Sequence, residues 1–397
     1  MKILLLGGYY PFLSAATARL ADFAHVLSNK GIEVSVLSPI TIRKRARWME
    51  ISNGIFIMRF FAISPVRVPI VGGLFNILSA SFTSSLLFLL RRPDVAIASL
   101  PPGEPPLGVA VVSKLFRKPL VFDVRDQWED FRIGKEKWLA KLWYSMMKKV
   151  YNRVYNESLF CVAVNEMIID HLVERGIERV HLVPHGLNTS LFAPMDKAKI
   201  RNRIGLNPSD FIVVYAGIFQ EYYRIDVVIR ALHKLAFEKG IKNLKLLIVG
   251  SGPRMGEYRS VVNELEFSEH VYFAGLKVRK EVAEYLACSD VGLIPYDDNA
   301  LWLSALPTKF YEYCSSGLPI VASALGDSLL ADYIEKWRVG LIVEPLDVEE
   351  LSSAIEFLYS HDDKRREMGA NGRKQALIHF DREKITSDML KMILDNR

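Results

Sequence analysis

The amino-acid sequence predicts an α/β protein with two doubly wound parallel-sheet domains that face each other across a cleft. Three observations carry this prediction. The chain has 397 residues, more than one ordinary hydrophobic core accommodates. Short apolar runs alternate with helix-like stretches, which is typical of parallel sheets covered by helices on both faces. These runs fall into two sets, separated by a connection near Pro184–Pro194.

The first set of apolar runs predicts the strands of an N-terminal sheet. They are Lys2–Leu6, Glu33–Leu37, Ile55–Phe60, Val95–Ser99, Leu120–Val124, Phe160–Val164 and Val180–Val183. The first run is short and breaks at Gly7 and Gly8, so a buried strand fits it better than a signal peptide.

The second set of apolar runs predicts the strands of a C-terminal sheet. They are Phe211–Tyr215, Lys245–Val249, Val271–Phe273, Val291–Ile294, Ile320–Ala322 and Gly340–Val343.

One stretch of the first half, Ile70–Leu90, contains 21 residues without a charge and is long enough to cross a bilayer. A crossing would place Ile55–Phe60 and Val95–Ser99 on opposite sides of the membrane, although both are predicted strands of one sheet. We therefore expect no membrane span. Two alternatives stay open: a buried helix, and a helix that lies in the membrane interface beside the flanking arginines.

The charge distribution and the cysteine content indicate what kind of partner the protein binds and in which cellular compartment it works. Through Ser190 the chain has 24 Lys+Arg and 15 Asp+Glu, and the remainder has 27 and 30. The basic first half fits an anionic membrane surface, with a merely solvated basic surface as the open alternative. Signatures of nucleic-acid modules are absent, so we expect no nucleic-acid partner. Cys161, Cys288 and Cys314 stand far apart in apolar sequence, which indicates core packing in a reducing cytoplasm.

In the second half, the predicted strands end in small or turn-forming residues. They are Gly217, Gly250, Gly252, Gly275 and Pro295. Ligands of doubly wound sheets bind at these carboxyl ends, and glycine lets backbone approach a ligand closely. Because strand-to-helix turns need glycine anyway, only the whole set indicates a nucleotide pocket.

The segment Leu306–Ser323 predicts a short helix, entered at Pro307 and followed by a buried strand. The first-turn amides of Thr308 and Lys309 suit a phosphate, and the lysine side chain adds a full charge. Glu312 lies on the same helical face one turn deeper, where a carboxylate can accept hydrogen bonds from a ribose. The segment therefore predicts a site for a nucleoside diphosphate.

Several motifs follow one another along nearly the whole chain. They are Gly7–Pro11, Phe122–Trp128, Val183–Asn188, Val249–Pro253 and Leu306–Ser323. Their order and spacing resemble the retaining nucleotide-sugar glycosyltransferases with two Rossmann-like domains, the GT-B class. Within that class the chain is most similar to the family 4 branch that builds surface polysaccharides, including the O-antigen fucosamine transferase type.

The resemblance implies an acceptor-binding domain over residues 1–188 and a nucleotide-sugar-binding domain over residues 189–379. Residues 380–397 would form a helix that returns to the first domain. The implied reaction moves a hexose-type sugar, with retention, from a nucleotide-sugar to a lipid-linked or saccharide acceptor. UDP is the commonest donor nucleotide in this branch, and GDP stays open. The enzyme would be cytoplasmic, with peripheral contact at the inner face of the cell membrane.

The donor-site residues are implied position by position, with two departures from the family pattern. Glu312 matches the second glutamate of the paired-glutamate motif, which binds the donor ribose, whereas the first glutamate falls at Ser304. The arginine and lysine that many relatives carry after Gly217 are missing, which leaves Lys309 as the first candidate for the diphosphate cation. Arg224 is either a second phosphate cation or a solvent-exposed residue. The implied donor site is Gly217, Arg224, Gly250, Gly252, Pro295, Ser304, Pro307, Thr308, Lys309 and Glu312.

The implied acceptor site lies at the carboxyl edge of the first sheet. It comprises Gly8, Tyr9, Tyr10, Arg125, Asp126 and Trp128. Asp126 could orient the acceptor hydroxyl or act as a base, and a structural carboxylate is the open alternative. Trp128 is either a sugar-stacking platform or a core residue. With Lys309 and Glu312, Asp126 completes the candidate catalytic set.

No two aspartates in the sequence are separated by one residue, so the Asp-x-Asp metal motif of the other glycosyltransferase fold is missing. We therefore expect a site without metal or cofactor, in which fixed hydrogen-bond donors stabilise the departing diphosphate. A nucleotide-sugar 2-epimerase of the same architecture is the enzyme alternative. A non-catalytic scaffold that binds a nucleotide-sugar is the alternative from a different class.

Overall fold

The structure, a computed structural model, describes residues 1–8, 15–40, 47–63, 69–135 and 138–396, apart from the side chains of residues 15–18, 131 and 135. The predicted acceptor residues Tyr9 and Tyr10 lie outside the described residues.

The strands are β1 (Lys2–Leu6), β2 (Glu33–Ile40), β3 (Met49–Ser52), β4 (Ile55–Phe61), β5 (Val95–Leu100), β6 (Leu120–Val124), β7 (Phe160–Ala163), β8 (Val180–Leu182), β9 (Phe211–Ile218), β10 (Leu244–Ser251), β11 (Val271–Gly275), β12 (Val291–Pro295), β13 (Ile320–Ser323) and β14 (Gly340–Val343).

Helices connect nearly all of these strands. They are α1 (Ala15–Asn29), α2 (Pro69–Arg91), α3 (Glu104–Leu115), α4 (Trp128–Lys135), α5 (Trp138–Glu157), α6 (Glu166–Glu174), α7 (Lys197–Ile204), α8 (Ile225–Phe237), α9 (Met255–Glu264), α10 (Arg279–Ala287), α11 (Thr308–Ser315), α12 (Leu329–Trp337), α13 (Val348–Ser360), α14 (Asp362–His379) and α15 (Arg382–Asp395).

The strands form two sheets. The first has eight strands in the order β3-β4-β2-β1-β5-β6-β7-β8, and the second has six in the order β11-β10-β9-β12-β13-β14. Every neighbouring pair is parallel except the antiparallel pair β3–β4. This topology confirms the predicted fold class, and each predicted strand is present.

Strand β3 was not predicted. It is a short edge strand joined to β4 by a tight turn in which Asn53 and Gly54 both have positive φ (49° and 77°). An Asn-Gly pair is the strongest local signal of a two-residue hairpin, so the missing strand could have been found in the sequence.

The chain divides into two compact units. Residues Met1–His185 with Arg382–Arg397 form the N-terminal unit, and Gly186–Asp381 form the C-terminal unit. In the first sheet, alternate side chains of β1 enter different cores, as the period of a strand requires. Ile3 and Leu5 pack with α1 and α15, whereas Leu4 and Leu6 lie in the cluster that contains α2, α3 and α5.

Helix α15 belongs to the N-terminal unit and packs against α1. Its apolar side chains Ile385 and Met389 are buried in the core on that face of the sheet. The guanidinium of Arg382 pairs with Asp22 of α1 at the start of the helix.

Helix α11 is fixed to the second sheet by one buried side chain. The hydroxyl of Tyr313 accepts a hydrogen bond from the Ala216 amide of β9 (3.1 Å) and donates to the Leu293 carbonyl of β12 (3.2 Å). A Cβ at Gly292 would lie 2.6 Å from the Tyr313 ring, so glycine is needed for this close contact. The start of α11 is thereby held near the carboxyl ends of β9 and β12.

Candidate functional site

The start of α11 is open to a ligand. Pro307 occupies the N-cap position with extended backbone (φ −73°, ψ 153°), and it offers no side chain to accept a hydrogen bond from the first turn. Thr308 is exposed. A helix start without a side-chain acceptor leaves first-turn amides for an anion, which the partial positive charge of the helix end also favours.

Lys309 is a buried cation that lies against aromatic rings. It is 7% exposed, and its Nζ lies 3.8 Å from the ring centroid of Tyr223 and 4.8 Å from that of Tyr215. Burial lowers the pKa of Lys309 to about 7, although the nearby Glu312 carboxylate acts in the opposite direction. Among the described residues no carboxylate lies within 4.0 Å of this ammonium. The tyrosine faces attract the charge but do not neutralise it.

The absence of a side chain at Gly217 leaves room for the Lys309 ammonium. Its φ is +147°, and a Cβ there would lie 2.6 Å from the Lys309 Nζ. A side chain at this position would therefore displace the ammonium from the carboxyl end of β9. The predicted donor residues Gly217 and Lys309 are in direct contact.

Gly250 and Gly252 have a different reason to be glycine. A Cβ at Gly250 would lie 1.9 Å from the Gly217 carbonyl oxygen, and one at Gly252 would lie 2.5 Å from the Phe219 amide nitrogen. These glycines allow the turns after β9 and β10 to touch through their backbones. They shape the edge where a ligand would bind, and the packing of two backbones alone explains their identity.

Glu312 lies one turn along α11 from its open end. Its side chain is 14% exposed, and its Oε1 is 3.8 Å from the Arg279 guanidinium at the start of α10. Arg279 also stacks over the Phe192 ring at 5.3 Å. This long ion pair helps to orient the largely buried glutamate.

Arg224, predicted as a second phosphate cation, already has a counter-ion. Its guanidinium donates to both carboxylate oxygens of Asp226, at 3.0 and 2.6 Å. This pairing raises the pKa of Arg224. Its backbone amide donates to the carbonyl of Pro295 (2.8 Å), which ties the turn after β9 to the end of β12. The structure thus gives Arg224 and Pro295 a clear role in joining two loops.

An aromatic stack holds the loop between β12 and α11. Tyr296 stacks on Tyr223 (5.3 Å between centroids) and on Trp302 (4.8 Å). The indole of Trp302 also donates to Asp297. Ser304, which stands where relatives carry a glutamate, is half-buried just beyond this stack. The stack links Tyr223, and through it Lys309, to the loop that carries Ser304.

In the N-terminal unit, a buried ion pair stands at the carboxyl edge of the sheet. Arg19 Nε donates to the Asp123 carboxylate at 3.1 and 3.2 Å, and Ser99 adds a hydrogen bond of 2.7 Å. The same arginine donates to the carbonyls of Val183 and Pro184. Burial alone would raise the pKa of Asp123, but the arginines and hydroxyl around it hold that pKa below its ordinary value.

Beyond this pair the loop after β6 carries Arg125 and Asp126. The Arg125 guanidinium donates to the carbonyls of Leu100 (3.0 Å) and Pro101 (2.5 Å). Dense packing raises the pKa of Asp126 to about 6, with Glu129 acting in the same direction and Arg125 against it. The Asp126 side chain nevertheless reaches solvent. An exposed carboxylate with a raised pKa suits proton transfer near neutral pH.

Gly8 and Trp128, also predicted at the acceptor site, differ in accessibility. Gly8 is half-buried, and its carbonyl accepts from the Ser38 hydroxyl (2.9 Å). Trp128 is 6% exposed and makes edge contacts with Tyr144 and Tyr151 at 6.0 and 5.7 Å. Its ring also fills the space that a Cβ at Gly103 would occupy. Trp128 is therefore a core residue, which corrects its interpretation as a sugar platform.

The described residues contain no group of three or more His, Cys, Asp and Glu side chains arranged to hold a metal. The three cysteines are buried and unpaired, as core packing predicts. Sequence reasoning missed Arg19, Asp123 and Arg279. A carboxylate inside the apolar run of β6 was a usable signal for Asp123, because a buried charge needs a partner, but it does not identify Arg19 as that partner.

Two family models match successive parts of the chain. Residues 196–375 match the family described as glycosyl transferases group 1, and residues 16–191 match glycosyltransferase family 4. A GDP-mannose-dependent α-(1-6)-phosphatidylinositol monomannoside mannosyltransferase of Mycolicibacterium smegmatis is 27% identical over 50% of this chain and 52% of its own. The chain spans about half the length of the first curated relatives it matches.

Solved structures also match the whole chain. Sucrose-phosphate synthase from Thermosynechococcus elongatus superimposes with a TM-score of 0.74 at 18% identity, covering 100% of this chain and 98% of its own. The Anabaena protein Alr3699/HepE in complex with UDP gives a TM-score of 0.71 at 16% identity, with 100% of both chains covered. At such identities these likenesses establish the two-domain GT-B fold.

Proposed function

We propose that this chain, which belongs to the group 1 glycosyltransferases of family 4, moves a hexose-type sugar from a nucleotide-sugar to a lipid-linked or saccharide acceptor. The observation that carries this proposal is the open start of α11, where the buried Lys309 ammonium lies beside first-turn amides and near Glu312. Surface polysaccharide or glycoconjugate synthesis, by a cytoplasmic enzyme at the inner face of the membrane, is the proposed setting.

In the proposed donor complex, the diphosphate lies at the start of α11. The amides of Thr308 and Lys309 donate to its oxygens, and the Lys309 ammonium supplies the positive charge that the family's missing arginine and lysine would give. Glu312 accepts hydrogen bonds from the ribose. UDP is our first choice of nucleotide, supported by the UDP complex of a structure with the same fold. The GDP-mannose dependence of one relative keeps GDP as the second choice.

The proposed chemistry is retaining and independent of a metal. As the bond from the sugar to the diphosphate breaks, negative charge grows on the phosphate oxygens that face Lys309 and the helix start. Fixed donors of this kind stabilise the transition state without reorganisation. The acceptor hydroxyl would attack on the face that the diphosphate leaves, and its proton would pass to the departing phosphate or to Asp126.

The test is transfer of labelled sugar in the presence of EDTA. Purified enzyme is incubated with UDP-glucose, UDP-N-acetylglucosamine or GDP-mannose and with a lipid extract or an oligosaccharide pool as acceptor. We expect label in the product from one donor series, and proton NMR of the new linkage to show the donor's anomeric configuration. Label that appears only in an epimerised nucleotide-sugar would support the 2-epimerase instead.

Replacement Glu312→Ala tests the site itself. We expect product formation to be abolished, because the ribose loses its carboxylate partner. Glu264→Ala, an exposed helical carboxylate in the same unit, is the matched control and should keep full activity. Unchanged turnover in Glu312→Ala would refute the donor-site assignment, and nucleotide binding without any product would favour a non-catalytic scaffold.

A further inference from the structure

Helix α2 is long and apolar enough to cross a membrane by length and composition, but it connects β4 to β5 and packs against the N-terminal sheet. One face of α2 carries buried residues such as Asn76, Ala80 and Thr83. The other face leaves large apolar side chains in solvent. They are Val71, Leu74, Phe75, Leu78 and Phe82, between 40 and 69% exposed.

Helix α5 repeats this pattern. Its inner face contributes Trp143, Met147 and Tyr151 to the core. Its outer face exposes a second apolar row at helical spacing. The members are Trp138, Leu139, Leu142, Met146 and Val150, between 40 and 75% exposed. Core packing explains the inner faces of both helices and leaves the outer rows unexplained.

The two rows belong to one surface. Gly73 of α2 lies directly against the Trp143 ring of α5, since a Cβ there would be 2.7 Å from it. A groove of about 820 Å³ is lined by Ile77 of α2, Val111 of α3 and Val150 of α5. We call this surface on α2, α3 and α5 the apolar helical face. A contiguous exposed apolar area of this kind marks an interaction site.

Charge identifies the partner. The uncharged stretch of α2 ends at Arg91, which pairs with Glu33 at 2.5 Å, and the cation that follows it, Arg92, is exposed. From Trp138 to Asn156 helix α5 has basic residues and no acidic one. Its exposed Lys141 and Lys149 form no ion pair with the described residues. Apolar rows bordered by cations complement an anionic bilayer. The apolar side chains would insert into its acyl region, and the lysine ammonium groups would pair with its anionic headgroups.

The orientation of the helices fits this partner. In a parallel sheet the helix that follows a strand begins at the carboxyl edge, so the first turn of α2, which follows β4, lies at that edge of the N-terminal sheet. The first turns of α5 lie beside it, because Gly73 of α2 contacts the Trp143 ring of α5. Asp126 lies at the same edge, in the loop after β6. A bilayer on the apolar helical face would therefore adjoin the proposed acceptor edge.

We propose that the apolar helical face inserts shallowly into an anionic lipid bilayer and holds the enzyme at the membrane as a peripheral protein. This rests on the proposed function, since the apolar helical face would account for the proposed membrane location. The face lies entirely in the N-terminal unit. Donor binding in the C-terminal unit can be measured separately. A nucleotide titration of each variant therefore distinguishes a failure of this inference from a failure of the proposed function.

The experiment is flotation of the full chain with vesicles of phosphatidylcholine alone or mixed with phosphatidylglycerol. Two variants remove the rows: Leu74→Ser/Leu78→Ser/Phe82→Ser on α2, and Trp138→Ser/Leu142→Ser/Met146→Ser on α5. The control Val173→Ser/Leu394→Ser changes exposed apolar side chains of the same unit on α6 and α15. Circular dichroism confirms that each variant is folded.

We expect wild type and control to float with the anionic vesicles more than with the neutral ones. Each row variant should lose about tenfold or more in partitioning, because the apolar area that it would bury is gone. Wild-type protein that floats with neither vesicle overturns the inference. So does a row variant that floats like wild type. A concentration-dependent dimer that both row variants abolish, without vesicle binding, would assign the face to a second copy instead.

Discussion

The buried cations of the two units have different surroundings. In the N-terminal unit, Arg19 is matched by Asp123, and both side chains are at most 4% exposed. In the C-terminal unit, Lys309 is equally buried but rests on tyrosine rings, with no carboxylate within 4.0 Å among the described residues. Arg19 and Asp123 each depend on the other as a buried counter-ion, whereas Lys309 has no such counter-ion among the described residues. In the proposed donor complex, the phosphates of the nucleotide-sugar supply the counter-charge of Lys309.

The largest expected effect comes from breaking the matched pair. Arg19→Met leaves the Asp123 carboxylate buried without its cation, which costs about 3–5 kcal/mol of unfolding free energy. Denaturant unfolding of the N-terminal unit measures this loss. In the double variant Arg19→Met/Asp123→Leu most of the stability should return, because neither charge remains. A loss below about 1 kcal/mol in the single variant would contradict a structural role for the pair.

A smaller effect is expected from the titration of Lys309. Its pKa of about 7 means that the empty site loses its charge as the pH rises above that value. A bound diphosphate would raise this pKa, so binding takes up a proton. The dissociation constant for the nucleotide should therefore increase from about pH 7.5 to about pH 9, by at most about tenfold per pH unit.

The control for this pH dependence is Lys309→Arg, whose side chain stays charged throughout the range. Its nucleotide affinity should be nearly independent of pH. Calorimetric titrations in buffers of different ionisation enthalpy would also show proton uptake by wild type and none by the variant. A flat profile for wild type would mean that the charge of Lys309 does not contribute to binding.

Much of the fold could be predicted because its signals are local. Each predicted strand is an apolar run bounded by turn residues, and β3 escaped only because its short sequence is half polar. Helix α11 was also predictable, since the proline, the lysine and the glutamate lie within six residues of one another.

Pairings over long distances were not predictable in the same way. Arg19 and Asp123 are 104 residues apart, and nothing in either segment specifies the other. The contact of Glu312 with Arg279 likewise joins separate elements. Trp128 shows a different limit, because a tryptophan after a strand suits a core and a sugar site equally well. Only its contacts with Tyr144 and Tyr151 distinguish the two.

The most direct test of the account is a calorimetric titration of UDP and GDP into wild type and Lys309→Met in the presence of EDTA. We predict saturable, metal-independent binding of one nucleotide to wild type. In Lys309→Met, which keeps most of the length of the side chain but removes its charge, the affinity should fall about a hundredfold, as expected for a charge-assisted contact. Equal affinity in both proteins, or binding that appears only when a divalent metal is added, would contradict a donor site built on Lys309.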